Sequence, residues 1–265
     1  MSDDQLTEWL DAACEAARRA AVILATWRHR FETREKARFD LVTDADLDSQ
    51  RTIQSYLKQR FPSHGFLGEE EGAAKARPAP GAPPTWIVDP IDGTTNYVHD
   101  FPLYCISIGL QVDGELVVGA VHDPVRDEMF KAARGHGAYL NEHRLTTSRI
   151  DQLGQALLAT GFPSNPQAQE PSFAWWRYFA SRAQSIRRTG STALNLAYLA
   201  AGRFDGYWAF DNHAWDVAAG VVLVREAGGI VTNADGSEYD PYTADAVASN
   251  GPLHRAMLQC LCEGP

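Results

Sequence analysis

Apolar residues recur at helical spacing from Gln5 to Trp27, at Leu6, Leu10, Ala13, Cys14, Ala17, Ala21 and Leu24, behind a Ser2 and Gln5 spaced as a capping box. This pattern predicts an amphipathic opening helix. A second helical run extends from about Asp46 through Ile53, Tyr56 and Leu57 towards Phe61 and stops before Pro62. Between the two, KARFDLVTDAD at 36–46 is mostly polar and reads as a loop or hairpin entering the second helix. AAKARPAPGAPP at 73–84 has the Pro and Gly content of a surface loop, and Trp86, Ile87 and Val88 after it form a short buried strand. Residues 105–140 alternate as antiparallel strands, with Asp113-Gly114 as a hairpin turn and Gly135 and Gly137 punctuating the next pair. In the second half, strands are expected at 157–162, Gly206–Phe210 and GIVTN, and helices around Phe173–Ala183, Ser191–Ala201 and Trp215–Ala227, the last closed by Gly228-Gly229. Helices and strands mix throughout without a repeat of fixed period, which favours α/β or α+β layers.

A chain of 265 residues buries a sizeable core as one domain, with two closely packed subdomains expected at about 1–150 and 151–265. No apolar run approaches the ~18 residues of a membrane-spanning helix. The N-terminus MSDDQLTEW lacks the basic and apolar regions of a signal peptide, so a cytoplasmic location is expected. Cys14, Cys105, Cys260 and Cys262 lack zinc-ligand spacing and read as reduced thiols. The net charge of −10 argues against general nucleic-acid binding through a basic surface. An anionic substrate would need local positive charge on such a protein, and metal ions supply it.

The chemistry concentrates in four acidic clusters: Asp40 to Asp46, Glu69 and Glu70 in GEEEG, Asp89 and Asp92 in DPIDGTT, and Asp216 in WDVAAG. A charge run is ordinarily a solvated face, and a carboxylate such as Asp216 opening a helix is ordinarily a dipole partner. Asp89 and Asp92 differ, because they end an apolar strand and precede a Gly-Thr-Thr able to form an anion-binding nest of N–H groups. Two carboxylates beside an anion site repel each other and the anion unless a divalent cation lies between them. With oxygen donors only and the eight histidines dispersed, a hard cation such as Mg²⁺ is favoured over Zn²⁺ or Cu²⁺. Hydrolysis of a phosphate ester follows as the reaction class.

DLVTDAD at 40–46, GEE at 68–70, DPIDGTTN at 89–96, RRTGSTALNLAYLAAGRFDGYW at 187–208 and WDVAAG at 215–220, in this order, resemble the inositol monophosphatase family of lithium-sensitive, Mg²⁺-dependent phosphatases. The resemblance implies alternating α-β-α-β-α layers, an α+β sandwich, and a homodimer acting on a small phosphorylated substrate. It implies that Glu70, Asp89 and the Ile91 carbonyl hold one Mg²⁺, that Asp89, Asp92 and Asp216 hold a second, and that a third lies near Glu70. Asp46 with Thr94 would orient the attacking water, while Gly93 and Thr94 offer N–H groups to phosphate. Gly190, Ser191 and Thr192, with Asp92 and Asp216, would face the substrate's ring hydroxyls, although Ser191 at a helix start also reads as an N-cap. Lys36 matches a lysine of the family's mobile first loop, and Arg187 and Arg188 support the site or the subunit interface.

One position departs from the family. A glutamate that contacts inositol commonly stands seven residues before the WDVAAG-type aspartate, and here that residue is Ala209. Asp211, Asn212 and His213 are the candidate replacements. Inositol monophosphate is therefore the leading substrate, with histidinol phosphate, fructose 1,6-bisphosphate, NADP or a 3′-phosphonucleotide as alternatives, and a regulatory binding role as a reading of another class.

Overall fold

The computed structural model describes residues 1–37, 39–71 and 77–264, so residue 38 of the 36–46 segment and residues 73–76 of the predicted surface loop lie outside the described residues. The chain opens with helix α1 (Asp3–Trp27), the hairpin β1 (Thr33–Ala37) and β2 (Asp40–Thr43), and helix α2 (Asp44–Arg60). Ser2 caps α1 by accepting from the Gln5 N–H, and Thr43 caps α2 in a capping box with Asp46. Strands β3 (Gly65–Gly68) and β4 (Thr85–Asp92) are followed by the short helix α3 (Thr94–Val98) and then by β5 (Cys105–Val112), β6 (Glu115–Asp123), β7 (Glu128–Ala133), β8 (Gly137–Leu140) and β9 (His143–Arg144). The remaining elements are β10 (Leu157–Thr160), α4 (Glu170–Ala180), β11 (Ser185–Arg187), α5 (Thr192–Ala200), β12 (Gly206–Ala209), α6 (Ala214–Glu226), β13 (Ile230–Thr232), β14 (Ala246–Ser249) and α7 (His254–Glu263).

Strands β3 to β9 form one seven-stranded sheet in sequence order, parallel between β3 and β4 and antiparallel thereafter. A second sheet runs β11-β10-β12-β14-β13, with β11, β10 and β12 parallel. The period-2 alternation of the strands assigns the layers. Trp86, Val88, Ile106, Ile108 and Leu110 face α1 and α2, whereas Ile87, Cys105, Val121 and Phe130 face α5 and α6 on the other side. On β12, Tyr207 and Ala209 turn to that same central helix pair, and Trp208 turns outward to Phe179 of α4 and Met257 of α7. The order is α1/α2, seven-stranded sheet, α5/α6, five-stranded sheet, α4/α7, which is the α-β-α-β-α sandwich expected. Strand β14, a short Ala-Val-Ala-Ser segment, the short β3, and α7 fall outside the elements that the sequence pattern predicts.

Helix α6 sits close on the large sheet because glycines face it. A Cβ built at Gly119 would stand 2.3 Å from the Ala219 carbonyl oxygen, and one at Gly109 would stand 2.7 Å from Ala218 Cβ. At Gly220 the helix meets Leu196 of α5 as closely, with 2.5 Å to Leu196 Cβ. These contacts fix the depth at which α6 presents its first turn, and with it Asp216. Gly119→Ala should therefore force α6 outward and destabilise the fold by roughly 1–3 kcal/mol. Thermal unfolding would show the loss, and an unchanged melting temperature would contradict the close-approach account.

Candidate active site

The end of β4 is where the site is built. Asp89 pairs with Ser107 and Asp92 with Cys105, so three steps along β4 oppose two along β5. The extra residue is a bulge, and it turns to one face two side chains that a regular strand would send to opposite faces. Pro90, which has no N–H to give a ladder, falls inside the irregularity. Both aspartates line a cavity of about 410 Å³ together with Glu69, Ile91, Gly93, Thr94 and Asp216.

Each carboxylate is held by different donors. Asp92 lies at the start of α5, where its Oδ2 accepts from Ser191 Oγ at 2.7 Å and from the Ala193 N–H at 2.6 Å, and its Oδ1 from the Thr192 N–H at 3.2 Å. Helix N–H groups favour this negative charge. Asp216 is the third residue of α6, where its Oδ2 accepts from the His213 N–H at 2.7 Å. The His213 ring lies 3.6 Å from the same oxygen and stacks on Trp215 at 4.9 Å, so Trp215 packs the turn that carries Asp216. Asp89 Oδ1 accepts the Ile91 N–H at 3.0 Å across the bulge. Asp46, fully buried at the start of α2, accepts from Thr43 N and Oγ1 at 2.7 and 2.6 Å and lies 3.1 Å from Thr94 Oγ1.

Glu69 to Glu71 form a 3₁₀ turn after β3. Successive side chains of such a turn stand about 120° apart, so Glu69 and Glu70 do not face the same wall. Glu69 lines the cavity, whereas Glu70 does not. The Glu70 N–H is held by Gln50 Oε1 at 3.0 Å. Lys36 Nζ bridges the two carboxylates, at 2.8 Å from Glu69 and 2.7 Å from Glu70. Burial lowers the Lys36 pKa, but its two glutamates outweigh burial and keep the ammonium charged. The expectation that placed Glu70 beside Asp89 therefore shifts by one residue in space.

Burial and mutual repulsion raise the carboxyl pKa values of this cluster. Burial is the largest cause at every one of them, pushing Asp46 to about 6, Asp92 to about 7 and Glu69 to about 8. Asp89 is raised well above the ordinary range by burial, by the charges of Glu69, Asp92 and Asp216, and by a hydrogen bond to Glu69. Carboxylates brought this close in a largely buried setting favour keeping a proton between them where no cation separates them. Among the described residues, no three acidic, His or Cys side chains already converge to ligate one ion, so the carboxylates would have to close on it. An all-oxygen set with a retained proton to displace fits a hard divalent cation.

Of the remaining expected residues, Gly190, Ser191, Thr192, Lys36 and Asp211 line the cavity, and Arg187 does not. Arg187 bonds back to Ser185 Oγ at 2.6 Å, because β11 turns it away. Its neighbour Arg188 reaches the cavity and lies over the Phe162 ring at 5.5 Å. Ser191 Oγ is committed to Asp92, so Ser191 lines the cavity without presenting a free donor. Phe39, Phe162, Phe210 and Asn212 also line the cavity, and no motif singled out the three phenylalanines. Gly93 has φ of +100° and Gly190 of +86°, a backbone conformation that lets the β4–α3 and β11–α5 turns meet here.

These shifts fix a sign for pH dependence. Asp46, Glu69, Asp89 and Asp92 have folded pKa values above their unfolded ones, so the cation-free protein binds more protons folded than unfolded and loses stability as pH rises from about 4 to about 8. In EDTA the melting temperature should fall across that window. Saturating Mg²⁺ should raise it by an increment that grows with pH, and a rise in EDTA over the same window would contradict the assignment.

A sequence model of the Inositol monophosphatase family matches residues 5–264. Inositol monophosphatase 3 of Solanum lycopersicum is 41% identical over 260 residues, covering 97% of this chain and 97% of that protein. Inositol-1-monophosphatase of Synechocystis is 39% identical over 267 residues, covering 100% of this chain and 92% of that protein. Among solved structures, inositol monophosphatase from Anabaena (Nostoc) superposes with a TM-score of 0.87 at 36% identity, covering 98% of each chain. By sequence, fold and the order of its motifs, the chain belongs to the inositol monophosphatase family, a family of metal-dependent phosphoric monoester hydrolases.

Proposed function

We propose that this enzyme hydrolyses a small phosphomonoester, inositol monophosphate being the leading candidate, with two or three Mg²⁺ ions held by Glu69, Asp89, the Ile91 carbonyl, Asp92 and Asp216. The observation that carries the reading is the convergence of four carboxylates on one cavity, with buried Asp89 and Asp92 beside half-buried Glu69 and Asp216, where burial and mutual repulsion raise Asp89 well above the ordinary carboxylate range. Bound Mg²⁺ would supply Lewis-acid polarisation of the phosphoryl oxygens and a lowered pKa for water. The chain's own groups do the rest.

Asp46 and Thr94 position the attacking water. Thr94 Oγ1 has one proton and two neighbouring acceptors, Ile91 O at 3.0 Å and Asp46 Oδ1 at 3.1 Å. In either case a lone pair of Oγ1 is left to accept from water. Asp46, pushed to about 6, can take a proton near neutral pH, while Thr43 holds its second oxygen and fixes the carboxyl's orientation. Gly93, at positive φ, starts α3, and the N–H groups of Gly93 and Thr94 would offer donors to the phosphate. Lys36 holds Glu69 and Glu70 together, and Asp216 is presented at the depth that the glycine contacts of α6 set.

Ala209 leaves the cavity without the carboxylate that the family uses for ring hydroxyls, so discrimination between inositol monophosphate and other small esters should be weak. Phosphate release tests the reading. Asp89→Asn should abolish Mg²⁺-dependent turnover without loss of circular dichroism, and Asp46→Asn and Thr94→Ala should lower kcat by about 10²-fold or more with KM changed only a few-fold. Full turnover in excess EDTA, or effects confined to KM, would contradict it.

A further inference from the structure

Asn96 closes the DPIDGTTN motif but does not line the cavity. It is the third residue of α3, half-buried, and its side chain reaches two other segments of the chain. Nδ2 lies 2.7 Å from the Leu103 carbonyl, in the loop before β5, and 2.9 Å from the Thr189 carbonyl, in the turn between β11 and α5. Carbonyl oxygens only accept, so the nitrogen end of the amide faces them and both of its protons are committed.

The segments that Asn96 ties together are the ones that enclose Gly93. A Cβ built at Gly93 would stand 3.1 Å from the Leu103 carbonyl oxygen and 3.3 Å from the Gly190 carbonyl oxygen, and one built at Gly190 would stand 3.0 Å from Asn96 Nδ2. The Gly93 turn, the Gly190 turn and the Asn96 amide therefore meet with no room for a side chain between them. Thr189 is held a second time, by its hydroxyl, which lies 2.7 Å from Asn195 Oδ1 of α5. Just past Gly190, the N–H groups of Thr192 and Ala193 hold Asp92. One amide thus sets the distance between the turn of Gly93 and Thr94 and the turn that anchors Asp92.

Resting on the phosphatase reading above, we propose that Asn96 is a positioning residue for the phosphate group: its two hydrogen bonds hold the Gly93–Thr94 turn at the distance from Asp92 at which one phosphate meets both that turn and a cation held by Asp92. Asn96 touches neither substrate nor cation and acts through the two turns. Donors that drift by a fraction of an ångström lose aligned hydrogen bonds to an anion, whereas Asp92 keeps its own contacts to the start of α5. Loss of the Asn96 amide therefore falls on anion binding before it falls on the cation.

The test separates anion binding from cation binding and from folding. Calorimetry well below the melting temperature gives the dissociation constant of inorganic phosphate in saturating Mg²⁺ and, separately, that of Mg²⁺ without phosphate. Asn96→Ala should weaken phosphate by about tenfold, the span of one or two neutral hydrogen bonds, and leave Mg²⁺ affinity within about threefold. Asn96→Asp keeps the shape of the side chain but turns only acceptors toward the two carbonyls, so it should weaken phosphate at least as much. Thr189→Val frees the other hold on the same turn and leaves the Asn96 bonds in place. It should weaken phosphate by less, and it carries the test should both Asn96 variants fail to fold. Phosphate affinity unchanged in Asn96→Ala, equal losses of phosphate and Mg²⁺ affinity, or no effect of Thr189→Val where it alone folds would overturn the proposal. The phosphatase reading fails separately, on absence of Mg²⁺-dependent phosphate release from small phosphomonoesters by the unmutated protein.

Discussion

The structure turns on a bulge that brings two aspartates to one face of a buried strand. Without the extra residue between Asp89 and Asp92, one of them would point into the apolar layer under α1 and α2, among Trp86, Val88 and Ile106. With it, both point to the cavity, and the fold must then accommodate negative charges in a low-dielectric setting. It does so by surrounding each carboxylate with donors from a different element: the α5 N-terminus for Asp92, the α6 capping box for Asp216, Thr43 for Asp46 and Lys36 for Glu69. Asp89 has one backbone donor, and burial with the neighbouring charge of Glu69 raises its carboxyl well above the ordinary range. That is the uncompensated charge for which a cation is the natural partner.

The layers serve this arrangement. Helices α5 and α6 lie between the two sheets and aim their first turns at the same cavity, so carboxylates far apart in sequence meet at helix starts. Tight glycine contacts beneath α6 leave it little freedom, and Trp215 stacked on His213 packs the turn that carries Asp216. A mobile scaffold would let like charges separate. A rigid one keeps them near enough for shared ions to hold them.

Much of this was legible in the sequence. The apolar run ending in Asp89 and Asp92, the glycine-closed helix after Trp215 and the alternation of 105–140 all express local periodicity, and the structure follows them. Strand β14 was not legible, because AVAS gives neither β-branched nor aromatic signal beyond one valine. The choice of Glu69 over Glu70 was hidden for another reason: three consecutive glutamates look alike, and only the direction of the 3₁₀ turn, pinned by Gln50, tells which enters the cavity. Arg187 and Arg188 were likewise equivalent as letters until β11 sent one away. The bulge itself was signalled only by Pro90, and its register needs the partner strand.

The central claim is that a cation held by this cluster displaces the proton retained among Glu69, Asp89 and Asp92. The most direct measurement is Mg²⁺ titration by calorimetry near pH 7 in buffers of different ionisation enthalpy, which counts protons released on binding. The account requires release of protons at saturation, a smaller release in Glu69→Gln, and little change in Glu70→Gln. Mg²⁺ binding with no proton release, or release lost in Glu70→Gln and kept in Glu69→Gln, would contradict it.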